Sequence, residues 1–342
     1  MISLLPRSLI LLMMVSAVIL AACISQAPQN PALTHVSVAH QPLVSNGPLY
    51  IAKEEGYFAR QGIDVEFVRT QGGTASLPPL VNGDVAAAGA TLKSGYINAI
   101  NKGAHIRIVA DRGSIAPGYC DVASLMVRKD LYDKGIVRNV SDLKGRKIAA
   151  RDSDYDYLQS LAQGNLTPDD VDTVTMDFAT AVTAFQNGAV DAGLLTEPYV
   201  TQAVNSGSAV VLRPGHEFIP NWTAPLFYGP AFLDKNPELG KKFMIAYLQG
   251  VRQYNEGKTE RNLDILQNYT GLDRDLLRQS CWPPIAADGT VPRQFNRDYI
   301  DWMFANHSIS QKLDDDQLYD MSYAEYADSV LNNMSSGTKN RQ

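Results

Sequence analysis

The chain has 342 residues, 45% of them hydrophobic and 19% charged, with aromatic residues throughout, which excludes a disordered or collagen-like polypeptide. Its formal net charge is −6 and no basic stripe interleaved with aromatics occurs, so the electrostatic footprint of a nucleic-acid binder is missing. Small molecules and other proteins remain as partners, on one large domain or two medium ones.

Arg7 precedes an apolar run from Leu9 to Ala22 that is interrupted only by Ser16 and ends in Leu20-Ala21-Ala22-Cys23. A run this short, charged on one side only, reads as a secretory signal rather than a permanent membrane span. Its end resembles the bacterial lipobox, in which the cysteine sulfur is acylated by a diacylglycerol and the chain is cut before it. Residues 1–22 are therefore expected to be a lipoprotein signal peptide, with Cys23 lipidated and the protein held at the extracytoplasmic face of the membrane. Cleavage would remove one basic residue, Arg7, and no acid, taking the net charge from −6 to −7. The polar, Pro-punctuated stretch that completes residues 23–33 reads as a tether. Nothing later in the chain is apolar enough to span a bilayer. Cys120 and Cys281 could pair in an oxidising compartment or remain two separate buried thiols.

Folding is expected to begin at once. His35 to Ala39 alternates as a strand, "GPLYIAKEEGYFARQG" as a helix ended at Gly56 with a turn reaching Gly62, and Ile63 to Val68 as the next strand. This is a βαβ unit. Two later helices end in Asn-Gly, at Asn82-Gly83 and Asn187-Gly188, each followed by an apolar strand, and Asn-Gly can supply the left-handed cap between them. Ile106 to Ala110 and Ser124 to Val127 read as strands on either side of "DRGSIAPGYCDV", a segment suited to leaving one sheet for another. Past Trp222 the pattern is largely helical. Two α/β lobes follow, with the C-terminal helices packing back on the first.

No Gly-x-Ser-x-Gly turn, HExxH, CxxC or Walker-type loop is present, and the five histidines are scattered, so neither hydrolysis nor a zinc site is signalled. No catalytic residue, metal or cofactor is expected. In this order, "NGPLYIAKEEGYFARQGIDVEF", "GDVAAAG", "INAINKGAHIRIVADRG", "VRKDLYDKG", "DLKGRKIAA" and "FQNGAVDAGLLTEPYV" resemble the solute-binding receptors of ABC importers. The group concerned includes binders of nitrate, taurine, alkanesulfonates, thiamine-pyrimidine precursors and riboflavin. The resemblance implies an α/β two-lobed clamshell, type II periplasmic-binding-protein-like, each lobe a mixed sheet flanked by helices. It places lobe 1 in residues 34–118, lobe 2 in 119–223, and the return to lobe 1 with the C-terminal helices in 224–342. It also implies a monomer that passes a small-molecule ligand to a permease with its ATPase subunit. A related eukaryotic family makes the thiamine pyrimidine on this fold with a cysteine-rich iron site, which two isolated cysteines do not supply. A sensor read by a signalling partner would use the same hinge closure.

Open α/β sheets bind ligands outside the carboxyl ends of their strands, so candidate residues should lie just after strands. Those in lobe 1 are Gln41, Ser45 and Asn46, then Gly73 and Thr74, then Thr91 and Lys93. In lobe 2 they are Asp152, Ser153 and Tyr155, then Glu197, with Tyr119 near the outward crossover and Trp222 and Tyr228 near the return. Asp152, Ser153, Asp154 and Asp156 could simply cap a helix. Asp152, Asp154 and Asp156 match the first ligands of an EF-hand, but Tyr157 replaces the required glycine and Gln163 the closing glutamate. If that acidic helix mouth faces the cleft it disfavours a small anion, and Asp152 and Glu197 would accept hydrogen bonds from a flat heteroaromatic stacked on the aromatics. Riboflavin leads on this reading, ahead of a thiamine-type pyrimidine, because His40-Gln41-Pro42-Leu43 stands where pyrimidine binders show an aromatic-Thr-Pro-Asn run. Lys93 is the counter-indication: facing the cleft, it would call for a sulfonate or phosphate.

Overall fold

The computed structural model describes residues 32–70, 74–115, 118–150 and 155–339. The signal segment, Cys23, most of the tether, Gly73, Asp152, Ser153 and Asp154 lie outside them. From Thr34 onward the chain is one compact unit.

The first lobe opens with β1 (Thr34–His40), α1 (Gly47–Glu54), α2 (Tyr57–Arg60), β2 (Ile63–Arg69), α3 (Leu77–Asn82), β3 (Ala87–Gly89), α4 (Ser94–Asn101) and β4 (Arg107–Ser114). The second holds β5 (Ala123–Arg128), α5 (Lys129–Asp133), β6 (Lys147–Ala149), α6 (Tyr155–Ala162), β7 (Asp172–Val174), α7 (Phe178–Asn187), β8 (Ala192–Thr196), α8 (Tyr199–Asn205) and β9 (Ala209–Pro214). The chain then returns through β10 (Thr223–Tyr228) to α9 (Pro237–Tyr254), α10 (Glu260–Thr270), α11 (Arg274–Gln279), α12 (Gln294–Ala305), α13 (Asp315–Leu318) and α14 (Ser322–Lys339).

The two sheets share one plan, with strand orders β2-β1-β3-β10-β4 and β7-β6-β8-β5-β9. Three strands run parallel, and the fourth position is taken by an antiparallel strand, β10 in one sheet and β5 in the other. Each of these is the strand on which the chain enters from the opposite sheet. Parallel strands covered on both faces need continuous apolar runs, and Val38, Ala39, Ala88, Ile108, Val109 and Ala110 are all fully buried. The Asn-Gly caps form where expected, with Gly83 and Gly188 left-handed at φ 80° and 73° and ending α3 and α7.

Helices α9, α10 and α14 pack on the first sheet through Phe243, Leu263 and Ala327. α12 packs elsewhere: Phe295, Tyr299 and Ile300 join a cluster that also holds Tyr96 of α4 and Tyr157 of α6. The two crossing segments run side by side, with Ile115 N–H donating to Trp222 O at 2.8 Å. Cys120 and Cys281 form a disulfide that ties the outward crossing to the return segment before Pro283.

Candidate functional site

A cavity of about 140 Å³ lies where the rims of the two sheets face each other. From the first lobe it is lined by Gln41, Val44 and Ser45 after β1, Thr91 and Lys93 after β3, and Arg112 near the end of β4. Val122 and Ala123 at the start of β5, Ala149 and Ala150 after β6, Asp156, Met176, Phe178 and the end of β8 from Leu194 to Glu197 form the opposite wall. Trp222, just before β10, and Cys281 with Pro283 close the hinge side.

Strand direction explains this selection. β5 and β10 run antiparallel to their neighbours, so it is their starts that reach the rim where the parallel strands end. For the same reason Tyr228, at the end of β10, lies on the far side. It is fully buried, its hydroxyl donating to Gly240 O at 3.0 Å, which removes it from the site. Four more expected residues do not line the cavity. Tyr119 is 64% exposed. Thr74 is exposed on a turn. Tyr155 packs against Tyr299 and Trp302 of α12, with ring centroids 4.9 and 5.2 Å apart. Asn46 is buried one layer behind the wall. Gln41, Ser45, Thr91, Lys93, Glu197 and Trp222 do line it.

Arg112, outside the expected set, is the central feature of the first wall. The sequence reads as a linker from Asp111 onward, yet β4 continues to Ser114 because β10 pairs alongside it from Thr223 to Tyr228. The Arg112 side chain is buried. Its Nη1 donates to Ser45 Oγ at 2.5 Å, Nη2 to Ala90 O at 3.2 Å and Nε to Pro225 O at 3.3 Å, all neutral acceptors. Burial lowers its pKa. Asp111, the next residue on the strand, points to the opposite face. Its carboxylate accepts from Gly113 N–H at 3.0 Å and Ala286 N–H at 2.9 Å, and burial pushes its pKa up to about 6. Among the described residues Arg112 makes no ion pair, so a buried cation lines the cavity with only the longer-range attraction of Asp111 beside it.

The first wall is held from behind. Asn46 Nδ2 donates to Gln41 O at 2.7 Å and the Tyr50 hydroxyl to the same oxygen at 3.0 Å, which fixes the loop after β1. Tyr50 also meets His40 Nδ1 at 2.8 Å, and burial lowers the His40 pKa. Gly89 lies beneath this arrangement, and a Cβ there would sit 2.2 Å from Asn46 Oδ1.

The second wall is mostly apolar, through Val122, Met176, Phe178, Leu194 and Leu195. Its Glu197 is already engaged. The carboxylate accepts from Thr201 N–H at 3.2 Å, Thr201 Oγ1 at 2.9 Å and the Cys281 N–H, with Lys258 contributing attraction. Burial raises its pKa against those hydrogen bonds. Glu197 thus links the second sheet to the return segment and offers the cavity a carboxylate whose hydrogen-bonding capacity is largely used. No group of three or more potential metal ligands occurs among the described residues.

Comparison with known proteins places this geometry. A binding protein of Brucella abortus (strain 2308) is 29% identical over 143 residues, 40% of this chain and 44% of that protein. The chain therefore spans less than half the length of that curated relative. An aliphatic sulfonates-binding protein of Bacillus subtilis (strain 168) is 25% identical over 310 residues, 83% of this chain and 85% of that one. Among solved structures, the periplasmic nitrate-binding protein of Synechocystis PCC 6803 superposes with a TM-score of 0.73 at 17% identity, covering 88% of this chain and 90% of that one. The fold is thus the two-lobed α/β fold of periplasmic binding proteins. A family described as NMT1/THI5 like matches residues 45–256, more than half of the sequence, and the chain belongs to the NMT1/THI5-like family.

Proposed function

We propose that the protein is the solute-binding receptor of an ABC importer, lipid-anchored through Cys23 on the extracytoplasmic face, and that it captures a small organic anion for a permease and its ATPase subunit. The observation that carries the ligand class is the cavity's asymmetry. Arg112 and Lys93 stand on one wall, and Met176, Phe178, Leu194 and Leu195 on the other, beside Asp156 and Glu197, whose carboxylates have partners of their own. An acidic head group of the sulfonate kind satisfies the first wall and an alkyl or small aromatic body the second. The protein acts by binding alone.

A flat heteroaromatic such as riboflavin or a thiamine-type pyrimidine is the second reading, favoured by Trp222 and Phe178 as stacking faces. Two observations weigh against it. The expected stacking partners Tyr119, Tyr155 and Tyr228 do not line the cavity, and about 140 Å³ is small beside the roughly 300–1,000 Å³ of sites for drug-sized ligands.

A thermal-shift panel on the mature protein tests this, with butanesulfonate, ethanesulfonate, nitrate, a hydroxymethylpyrimidine and riboflavin. A ligand at about 100 times its Kd adds roughly 2.7 kcal/mol of stability. Stabilisation by the sulfonates is expected; stabilisation by riboflavin or the pyrimidine alone overturns the ligand class. An adjacent permease gene supports import, and an adjacent histidine kinase gene a sensing role.

A further inference from the structure

The packing behind the cavity wall carries a specificity device, which rests on the anion reading above. Asn46 is completely buried between Gln41 and Arg112, and its Oδ1 has no hydrogen-bond partner. The point where a Cβ of Gly89 would stand is 2.2 Å from Asn46 Oδ1 and 3.1 Å from Arg112 Cδ, so the amide oxygen and the arginine stem converge over that glycine. An aspartate has almost the same shape as this asparagine. In its place it would put a carboxylate beside a buried guanidinium, supplying the counter-charge Arg112 lacks.

The other groups around Arg112 do not supply it. Tyr50, Tyr96 and Tyr247 are buried phenols held neutral by desolvation, which raises their pKa values. Asp111 attracts Arg112 from the neighbouring position but makes no ion pair with it, its oxygens taken by the Gly113 and Ala286 N–H groups, with Thr223 Oγ1 at 3.5 Å. On the cavity wall itself, Lys93 and Asp156 each have partners and Glu197 is held by Thr201 and Cys281. Among the described residues Arg112 is therefore left without a direct ion-pair partner. We infer that Asn46 keeps Arg112 free of such a partner inside the wall and so sets the cavity for a singly charged anion, with the solute completing the ion pair.

The experiment is titration calorimetry on the mature protein at pH 8.5 with three probes of one shape: butanesulfonate (one negative charge), butylphosphonate (two) and butanesulfonamide (largely neutral). The wild type should bind butanesulfonate at least tenfold tighter than either of the others. In Asn46→Asp the preference for butanesulfonate over butanesulfonamide should fall at least tenfold. In Asn46→Ala, which loses the same bond to Gln41 O without adding charge, binding of both should weaken in parallel and their ratio should hold. A folded Asn46→Asp protein that keeps the wild-type ratio overturns the inference. So does tighter binding of the phosphonate dianion by the wild type, a measurement that needs no variant to fold. If the wild type binds none of the anions but takes the sulfonamide, the anion reading of the cavity fails instead.

Discussion

Arg112 occupies a position where burial disfavours its charge. Among the described residues a buried guanidinium hydrogen-bonded to Ser45 Oγ and two carbonyl oxygens has lost its hydration without gaining a direct ion-pair partner. Arg112→Gln keeps part of the hydrogen bonding and removes the charge. It should weaken binding of butanesulfonate by about 1.5–3 kcal/mol, roughly 10- to 150-fold, with little loss of fold stability by thermal melt; unchanged affinity would remove Arg112 from the site. Gly89→Ala drives a methyl group into Asn46 Oδ1 and should cost about 1–3 kcal/mol in denaturant unfolding. Asp111 gives a pH signature. Its pKa is raised from 3.8 to about 6, so folding penalises its charged form; the folded state is relatively most stable where Asp111 is protonated and loses stability as pH rises from about 4 through 6. Against Asp111→Asn, wild-type unfolding free energy should fall by up to about 3 kcal/mol between pH 4 and 7, whatever constant offset the substitution introduces. Asp111 and Arg112 escaped sequence reading because adjacent charges before Gly113 look like a strand end, and only pairing with β10, more than a hundred residues later, shows that they belong to the sheet.

At the scale of elements, local pattern and long-range direction contributed differently. β1 and β2 were legible from alternation, and the ends of α3 and α7 from Asn-Gly, since both signals are local. The rule that rim residues follow strands pointed to Gln41, Ser45, Thr91, Lys93 and Glu197, which line the cavity after strands of the parallel set. It failed at Tyr228 because β10 runs the other way, and a strand's direction is not written in its own residues. Tyr155 was expected at the cavity, but α12 reaches it first. The aromatic contacts between Tyr155 and Phe295, Tyr299 and Trp302 join α6 of the second lobe to a helix from the return segment. Each such pair is worth about 0.5–1.5 kcal/mol, so Tyr155→Ala should loosen the contact between α6 and α12 and weaken ligand binding several-fold, with a larger unliganded radius of gyration by small-angle scattering. The disulfide closes a loop of 161 residues that contains the whole second sheet. Replacing Cys281 with serine should cost about 2–4 kcal/mol in thermal or denaturant unfolding, and an unchanged transition would show that the tie contributes nothing.

For the whole molecule, two sheets of one plan face each other across a hinge made of paired crossing segments, with Arg112 and Lys93 on one rim and a mostly apolar wall that also holds Asp156 and Glu197 on the other. Closure around a solute is favourable only to the extent that the solute contacts both rims, and a ligand of the proposed class would bring a charge to Arg112 and a body to Met176 and Leu194. The class of molecule was readable from motifs spread along the chain. The ligand class was not, because it depends on which rim residues point inward. The most direct measurement is a crystal structure of the mature protein with butanesulfonate. The sulfonate oxygens should lie within hydrogen-bonding distance of Arg112, with the butyl chain against Met176 and Leu194. A sulfonate seated away from Arg112, or a cavity that admits only a flat neutral ring, would contradict the account.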